Sequence, residues 1–231
     1  MAAFKDRIVG LTSLNQTNTN LATDNELSEF LKDGVLDVTE RSINAMPQEI
    51  QSFQRVSATI DSNGGLDLGG AKIISVLREA NEDGSGDGST SWRTCKPVSP
   101  GLQSRVVDPE SLDFASIYNP VYMISDNNKI NVYPVPDGTD DGYKVYYVNN
   151  VPTDETNGAV LTHAHTDIKW FPNSKIYLVV IYASIKALEN KMAHLSAVDE
   201  DAELVQAISQ NIVSLKSEYQ SAFGAAPQKG K

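Results

Sequence analysis

Residues 171–224 read FPNSKIYLVVIYASIKALENKMAHLSAVDEDAELVQAISQNIVSLKSEYQSAFG. Their periodicity decides the fold. After Pro172, Asn173 or Ser174 can cap a helix that runs to about Leu195. Tyr177, Ile181, Ser184 or Ile185, Leu188, Met192 and Leu195 recur at steps of three and four and predict one buried face. Ala183 and Ala187 permit close approach of a neighbour. A break is expected at Ser196-Ala197-Val198, and Asp199, Glu200 and Asp201 suit the start of a second helix. Leu204, Ile208, Ile212, Leu215, Tyr219 and Phe223 form its apolar stripe, and Gly224 ends it. A link this short makes an antiparallel helical hairpin.

Upstream, the period changes from helical to alternating. Val56, Ala58 and Ile60 alternate before the turn cluster at 61–65, and Ile73, Ile74, Val76 and Leu77 predict a second strand. Residues 81–91, NEDGSGDGSTS, read as a hairpin loop. Val121–Ile124 and Lys129–Val135 predict two strands joined at Asp126-Asn127-Asn128, and Tyr143–Val148 a last one. Short strands at this spacing imply an antiparallel sandwich or small barrel.

Further upstream, residues 24–47 carry Leu27, Leu31, Val35, Val38 and Ile43 at helical spacing, with Asp24 as cap and Gly34 as a weak point. Pro47 stops this helix or opens a short one through Ile50 and Phe53. Residues 1–22, rich in Asn, Thr and Ser from Thr12 onward, predict an extended or weakly ordered arm, the alternative being a plain floppy terminus. The expected class is therefore α+β: a helix bundle (N-terminal helix plus C-terminal helical hairpin) with an inserted antiparallel β-sandwich or barrel domain. The expected division is 1–52 as arm and helix, 53–150 as β domain, and 151–231 as linker, hairpin and tail. The last segment packs with 24–52 as one bundle.

Apolar residues make up 40% of the 231 and charged residues 21%, which is ordinary for a globular protein. The formal net charge of −11 argues against wrapping phosphate backbones but suits a wall that DNA passes without sticking. A single cysteine, Cys95, excludes an internal disulfide. The first ten residues carry no signal-peptide pattern, and Ile176–Ile185 is about half the length a membrane helix requires, so no membrane partner is expected.

Several patterns suggest chemistry. His163-Ala164-His165-Thr166-Asp167, after Val160-Leu161-Thr162, resembles the H-x-H-x-D signature of metallo-β-lactamase-fold zinc hydrolases. Alternate residues point the same way, and imidazole plus carboxylate suits zinc. Such enzymes need further ligands downstream, and the only later histidine is His194 in a predicted helix. A polar loop before the hairpin is the simpler reading, so neither a metal nor another cofactor is expected. Asp83, Ser85, Asp87 and Gly88, and more loosely Asp137, Thr139, Asp141 and Gly142, begin a calcium-loop pattern. The twelfth positions hold Thr94 and Val148 where a bidentate Glu is needed, so acidic hairpin loops fit better. Tyr118, Tyr122, Tyr133, Tyr143, Tyr146 and Tyr147 are either a platform for sugars or ordinary strand residues. No P-loop, nucleophile elbow, dinucleotide fingerprint or paired-cysteine site occurs. No catalytic residue is assigned.

Three stretches carry a family resemblance: NPVYMISDNNKINVYPVP (119–136), YKVYYVN (143–149) and residues 171–223, most distinctively FPNSKIYLVVIYASIKALENKM (171–192). Together they resemble virion structural proteins of tailed bacteriophages, specifically head-to-tail adaptor (neck connector) subunits. The resemblance implies a homo-oligomeric ring, commonly a twelve-fold (dodecameric) one, in the virion neck. Such a ring binds the portal protein, extends the DNA channel and presents a surface to the tail or next connector. It also implies a helix bundle with an inserted β domain, made in the host cytoplasm. The tail Ala225, Ala226, Pro227, Gln228, Lys229, Gly230 and Lys231 becomes the candidate portal interface. Another neck, tail or capsid-associated role, a zinc hydrolase, and a carbohydrate-binding module are the alternatives.

Overall fold

The computed structural model describes residues 2–14, 22–80, 91–125, 128–136, 141–198 and 202–224. It is a mixed α+β structure of two compact units. One combines Met1–Phe53 with Val151–Lys231, and the other is Gln54–Asn150. No helix among the described residues is long and apolar enough to cross a membrane.

The first unit is helical. It contains α1 (Phe4–Thr12), α2 (Asp24–Ala45), a 3₁₀ segment (Pro47–Phe53), α4 (Ile176–Val198) and α5 (Ala202–Gly224). Helix α1 corrects the expected extended or weakly ordered arm over Phe4–Thr12, while residues 15–21 of that arm lie outside the described residues. Phe4, Ile8 and Thr12 stand four residues apart and are all buried, so a single apolar stripe suffices to hold this helix on α4. The Thr12 hydroxyl donates back to the Ile8 carbonyl (2.8 Å), and Ser13 closes the helix in the left-handed region at φ 55°.

Thr23, not Asp24, caps α2. Its hydroxyl accepts the Glu26 N–H (3.3 Å), and the Glu26 carboxylate accepts the Thr23 N–H (2.8 Å), a reciprocal capping box. These bonds, to the Thr23 backbone first, hold the Glu26 carboxyl below the usual range. Leu27, Leu31, Val35, Val38 and Ile43 are buried as their spacing requires. Gly34 is a contact point between helices: a Cβ there would lie 3.1 Å from Tyr182 Cδ1 and 3.3 Å from the Val179 carbonyl on α4.

Helix α4 is the hub, packed by α1, α2 and α5. It buries Val179, Val180, Ile181, Ala183, Ser184, Ala187 and Leu188, which together span more than one face. The one-face expectation was therefore too narrow, and Tyr177 lies outside the core at 46% exposure. The helix also continues through Val198 where a break was expected. Helix α5 runs antiparallel to it, as the pairs Glu189–Lys216 and Tyr182–Tyr219 establish. Ile208, Ile212, Leu215 and Tyr219 are buried, whereas Leu204 is exposed.

The second unit holds two sheets. Strands β1 (Gln54–Val56), β7 (Tyr143–Val148), β2 (Ile73–Glu79) and β3 (Trp92–Thr94) form an antiparallel sheet in that order. Strands β4 (Lys96–Pro97), β5 (Val121–Ile124) and β6 (Ile130–Tyr133) form a second sheet, in which β4 pairs parallel to β5. The expected fully antiparallel arrangement is thus corrected: the second sheet is mixed, and the strands among the described residues form no closed barrel. A parallel pair needs a long crossover. Residues 98–120, with a short helix α3 (Gln103–Val107), supply it. Pro97, lacking an N–H, sits on an edge strand as its chemistry demands. Leu68, Val76, Cys95, Ile130, Val132, Tyr143, Val145 and Tyr147 form one core cluster, and Val106, Ala115, Val121, Met123 and Tyr133 another.

Candidate functional site

The H-x-H segment works through its backbone. Helix α1 begins at Phe4 after Ala3, whose side chain cannot cap it. Its first N–H groups need outside acceptors. The Phe4 N–H donates to the His165 carbonyl (2.9 Å) and the Lys5 N–H to the His163 carbonyl (3.0 Å). Alternation along the segment thus aims two carbonyls at one helix end.

The imidazoles are engaged locally. His165 Nδ1 accepts the Thr162 N–H at 3.0 Å. The His163 N–H donates to Ser28 Oγ (3.1 Å), while its Nδ1 lies 3.2 Å from the same oxygen and its Nε2 3.5 Å from Asp24. Lys5 also pairs with Asp24 (3.0 Å), so the starts of α1 and α2 and the loop meet at one point. Asp167 accepts from its neighbour Thr166 (3.0 Å). Among the described residues no group of three or more His, Cys, Asp or Glu could hold a metal ion. His163, His165 and Asp167 are therefore near in sequence but not gathered as a ligand set. His194 is exposed on α4, beside Glu189 and Asn190, with Asn190 donating to Glu26 (3.2 Å).

The first calcium-like loop, Asp83 to Gly88, lies outside the described residues, as do Asp137 and Thr139. Asp141 accepts from Arg78 Nη2 at 2.6 Å. Arg78 is 1% exposed and spends its other donors on the Pro134 (2.9 Å) and Glu79 (2.6 Å) carbonyls. This carboxylate is a partner for a buried guanidinium. Of the tyrosines, Tyr133, Tyr143 and Tyr147 are buried in the clusters above, Tyr122 and Tyr146 are half-buried, and Tyr118 is exposed under Arg93. The candidate portal interface 225–231 lies outside the described residues.

Two surface features escaped the sequence reading. The first is a groove of about 470 Å³ lined by Arg7, Gly10, Leu11, Tyr177, Val180, Ile181 and Glu218, from α1, α4 and α5. It exists only because α1 is a helix. Arg7 Nη1 is buried without a hydrogen-bond partner among the described residues, and burial lowers the Arg7 pKa against the raising effect of Asp167. The second is the loop after α3. It exposes Val107, Phe114 and all of Leu112. The mixture of Leu and Phe with Asp and Glu at 107–114 was its only signal in the sequence.

Neither a protein-family model nor a curated protein matches this chain.

Proposed function

We propose that this chain is a structural subunit of a tailed-phage head-to-tail adaptor ring that attaches below the portal, extends the DNA channel and offers a docking surface to the tail. The resemblance of residues 119–136, 143–149 and 171–223 motivates this reading. One structural observation supports it: the two outer parts of the chain combine into a helical unit, while the intervening segment Gln54–Asn150 forms a compact unit of its own. Two compact units of this kind are compatible with the bundle and inserted β domain that the resemblance implies.

The chemistry is compatible. A chain of net charge −11 lines a channel without retaining DNA, because phosphate is repelled rather than neutralised. The segment 225–231, with Lys229 and Lys231, is the proposed portal contact. The twelve-fold count is what the resemblance alone implies.

The test is quantitative mass spectrometry of purified virions from the source, with the portal protein as reference. A ratio near one chain per portal subunit supports the proposal. Absence from virions discards it. Deleting residues 225–231 should abolish portal binding, and unchanged binding would sink that assignment.

A further inference from the structure

We infer that copies of this chain associate head to tail, with the 107–114 loop of one copy seated in the groove between α1, α4 and α5 of the next. The inference rests on the ring reading and gives that ring a specific contact.

The loop is built to stay open. The Ser111 N–H donates to the Asp108 carbonyl (3.0 Å), the Glu110 N–H to the Asp108 carboxylate (3.0 Å), the Asp113 N–H to Ser111 Oγ (3.2 Å) and the Ala115 N–H to the Val106 carbonyl (3.0 Å). Arg105 pairs with Asp113 at 2.9 Å. A floppy loop would fold its leucine inward. This one is pinned by five local interactions and still holds Leu112 at 100% exposure, with Val107 at 52% and Phe114 at 40%. Apolar groups held in water in this way mark contact surfaces.

The groove has the complementary features. Its floor and walls are Leu11, Tyr177, Val180 and Ile181. An apolar cavity of roughly 150 Å³ takes a benzene ring, so about 470 Å³ accommodates a leucine and a phenylalanine side chain. Arg7 and Glu218 bring one positive and one negative charge to its lining. The loop brings the opposite charges: Glu110, whose carboxylate has no partner among the described residues, and Arg105. Knob and hole are distinct patches, so a single knob-in-hole contact, not reciprocated within the pair, is heterologous. Such contacts propagate into a ring when the rotation closes. Complementarity of shape and charge within a single sequence is what selects a second copy as the occupant.

The experiment mixes full-length chains carrying Leu112→Cys with chains carrying Leu11→Cys, under mild oxidation, and identifies the disulfide peptides by mass spectrometry. Native Cys95 is buried and does not compete. The expected result is a Leu112→Cys to Leu11→Cys link well above the background from Val213→Cys, an exposed control on α5. Arg7→Glu and Glu110→Arg should each weaken self-association by roughly tenfold, and mixing the two variants should restore it. Three outcomes overturn the inference. They are a cross-link no stronger than the control, a dominant Leu112→Cys to Leu112→Cys link, and a wild-type chain that sediments as a monomer at its highest soluble concentration. A chain present at one per portal subunit but without this cross-link keeps the proposed function and loses only the interface.

Discussion

The Tyr219 hydroxyl of α5 donates to Asp37 Oδ2 of α2 at 2.5 Å, and the same oxygen accepts the Arg41 Nε–H at 2.7 Å. Arg41 also lies over the Tyr219 ring. One carboxylate oxygen thus ties the last helix to the second. Tyr219→Phe keeps the ring contacts with Tyr182 and Phe223 and removes only the hydrogen bond. Loss of a hydrogen bond to a charged group costs about 1.5–3 kcal/mol. Asp37 retains some water contact, which places the expected loss at the lower end. Urea unfolding should show a lower midpoint with an unchanged slope. No change would mean the bond contributes nothing.

Alkali should unfold the protein by a route that can be written down. Burial, and then the bond to Asp37, pushes the Tyr219 pKa up. Burial pushes Tyr143 up to about 12 and the Cys95 thiol up to about 12. In the unfolded chain such groups release protons near pH 10 and about 8.5 respectively. Above those values the folded state binds more protons than the unfolded state, so stability falls as pH rises. The decline starts near pH 9 with the thiol, steepens from about 10 with the tyrosines, and continues to about 12. Each fully buried group contributes roughly 1.4 kcal/mol per pH unit in its window. Urea midpoints measured between pH 8 and 11 check this, and Tyr143→Phe should flatten the profile. At pH 8 the native thiol should ignore a disulfide reagent that labels it after unfolding.

Arg78 and Asp141 should behave as a coupled pair. Removing one partner of a buried ion pair typically costs 3–5 kcal/mol, because the other charge is stranded. Asp141 keeps partial exposure, so Asp141→Ala is expected to cost about 3 kcal/mol. Arg78→Met combined with Asp141→Ala should cost clearly less than the sum of the two single changes. Additive losses in a double-mutant cycle would show the pair to be uncoupled.

Helix α1 should be an integral part of the helical unit. Phe4 and Ile8 are both fully buried. Phe4→Ala should destabilise by about 3–5 kcal/mol and Ile8→Ala by about 2–5 kcal/mol. Thermal unfolding followed by circular dichroism measures both. A loss under about 0.5 kcal/mol would return this segment to a loose arm.

Ser28 offers a direct way to probe the histidine segment. Its oxygen is the acceptor for the His163 N–H, so Ser28→Ala strands that group and should cost about 1–2 kcal/mol. Equimolar zinc should leave the unfolding midpoint of the wild type unchanged. A zinc-dependent rise that His165→Ala abolishes would instead establish the site as a metal centre.

Local pattern determined much of the secondary structure. The stripe of α2, the central part of the α5 stripe and the alternation of β7 read correctly because each residue's environment follows from a fixed period. Helix α2 buries every residue its spacing marked, α5 does so from Ile208 to Tyr219, and the broad α+β class follows from the order of the patterns. The short α1 stripe was hidden, since two apolar residues and a threonine give too weak a period beside the polar stretch that follows. Only tertiary structure made it a helix, by offering the His163 and His165 carbonyls to its N-terminus and α4 to its face. The same cause widened the core of α4 and left Tyr177 on the surface: a helix surrounded by three others buries more than one stripe. The parallel β4–β5 pair, the use of Asp141 by Arg78 and the groove beside Arg7 likewise depend on residues far apart in the chain. Period reports only which residues share a face; what that face meets is decided when the chain closes on itself.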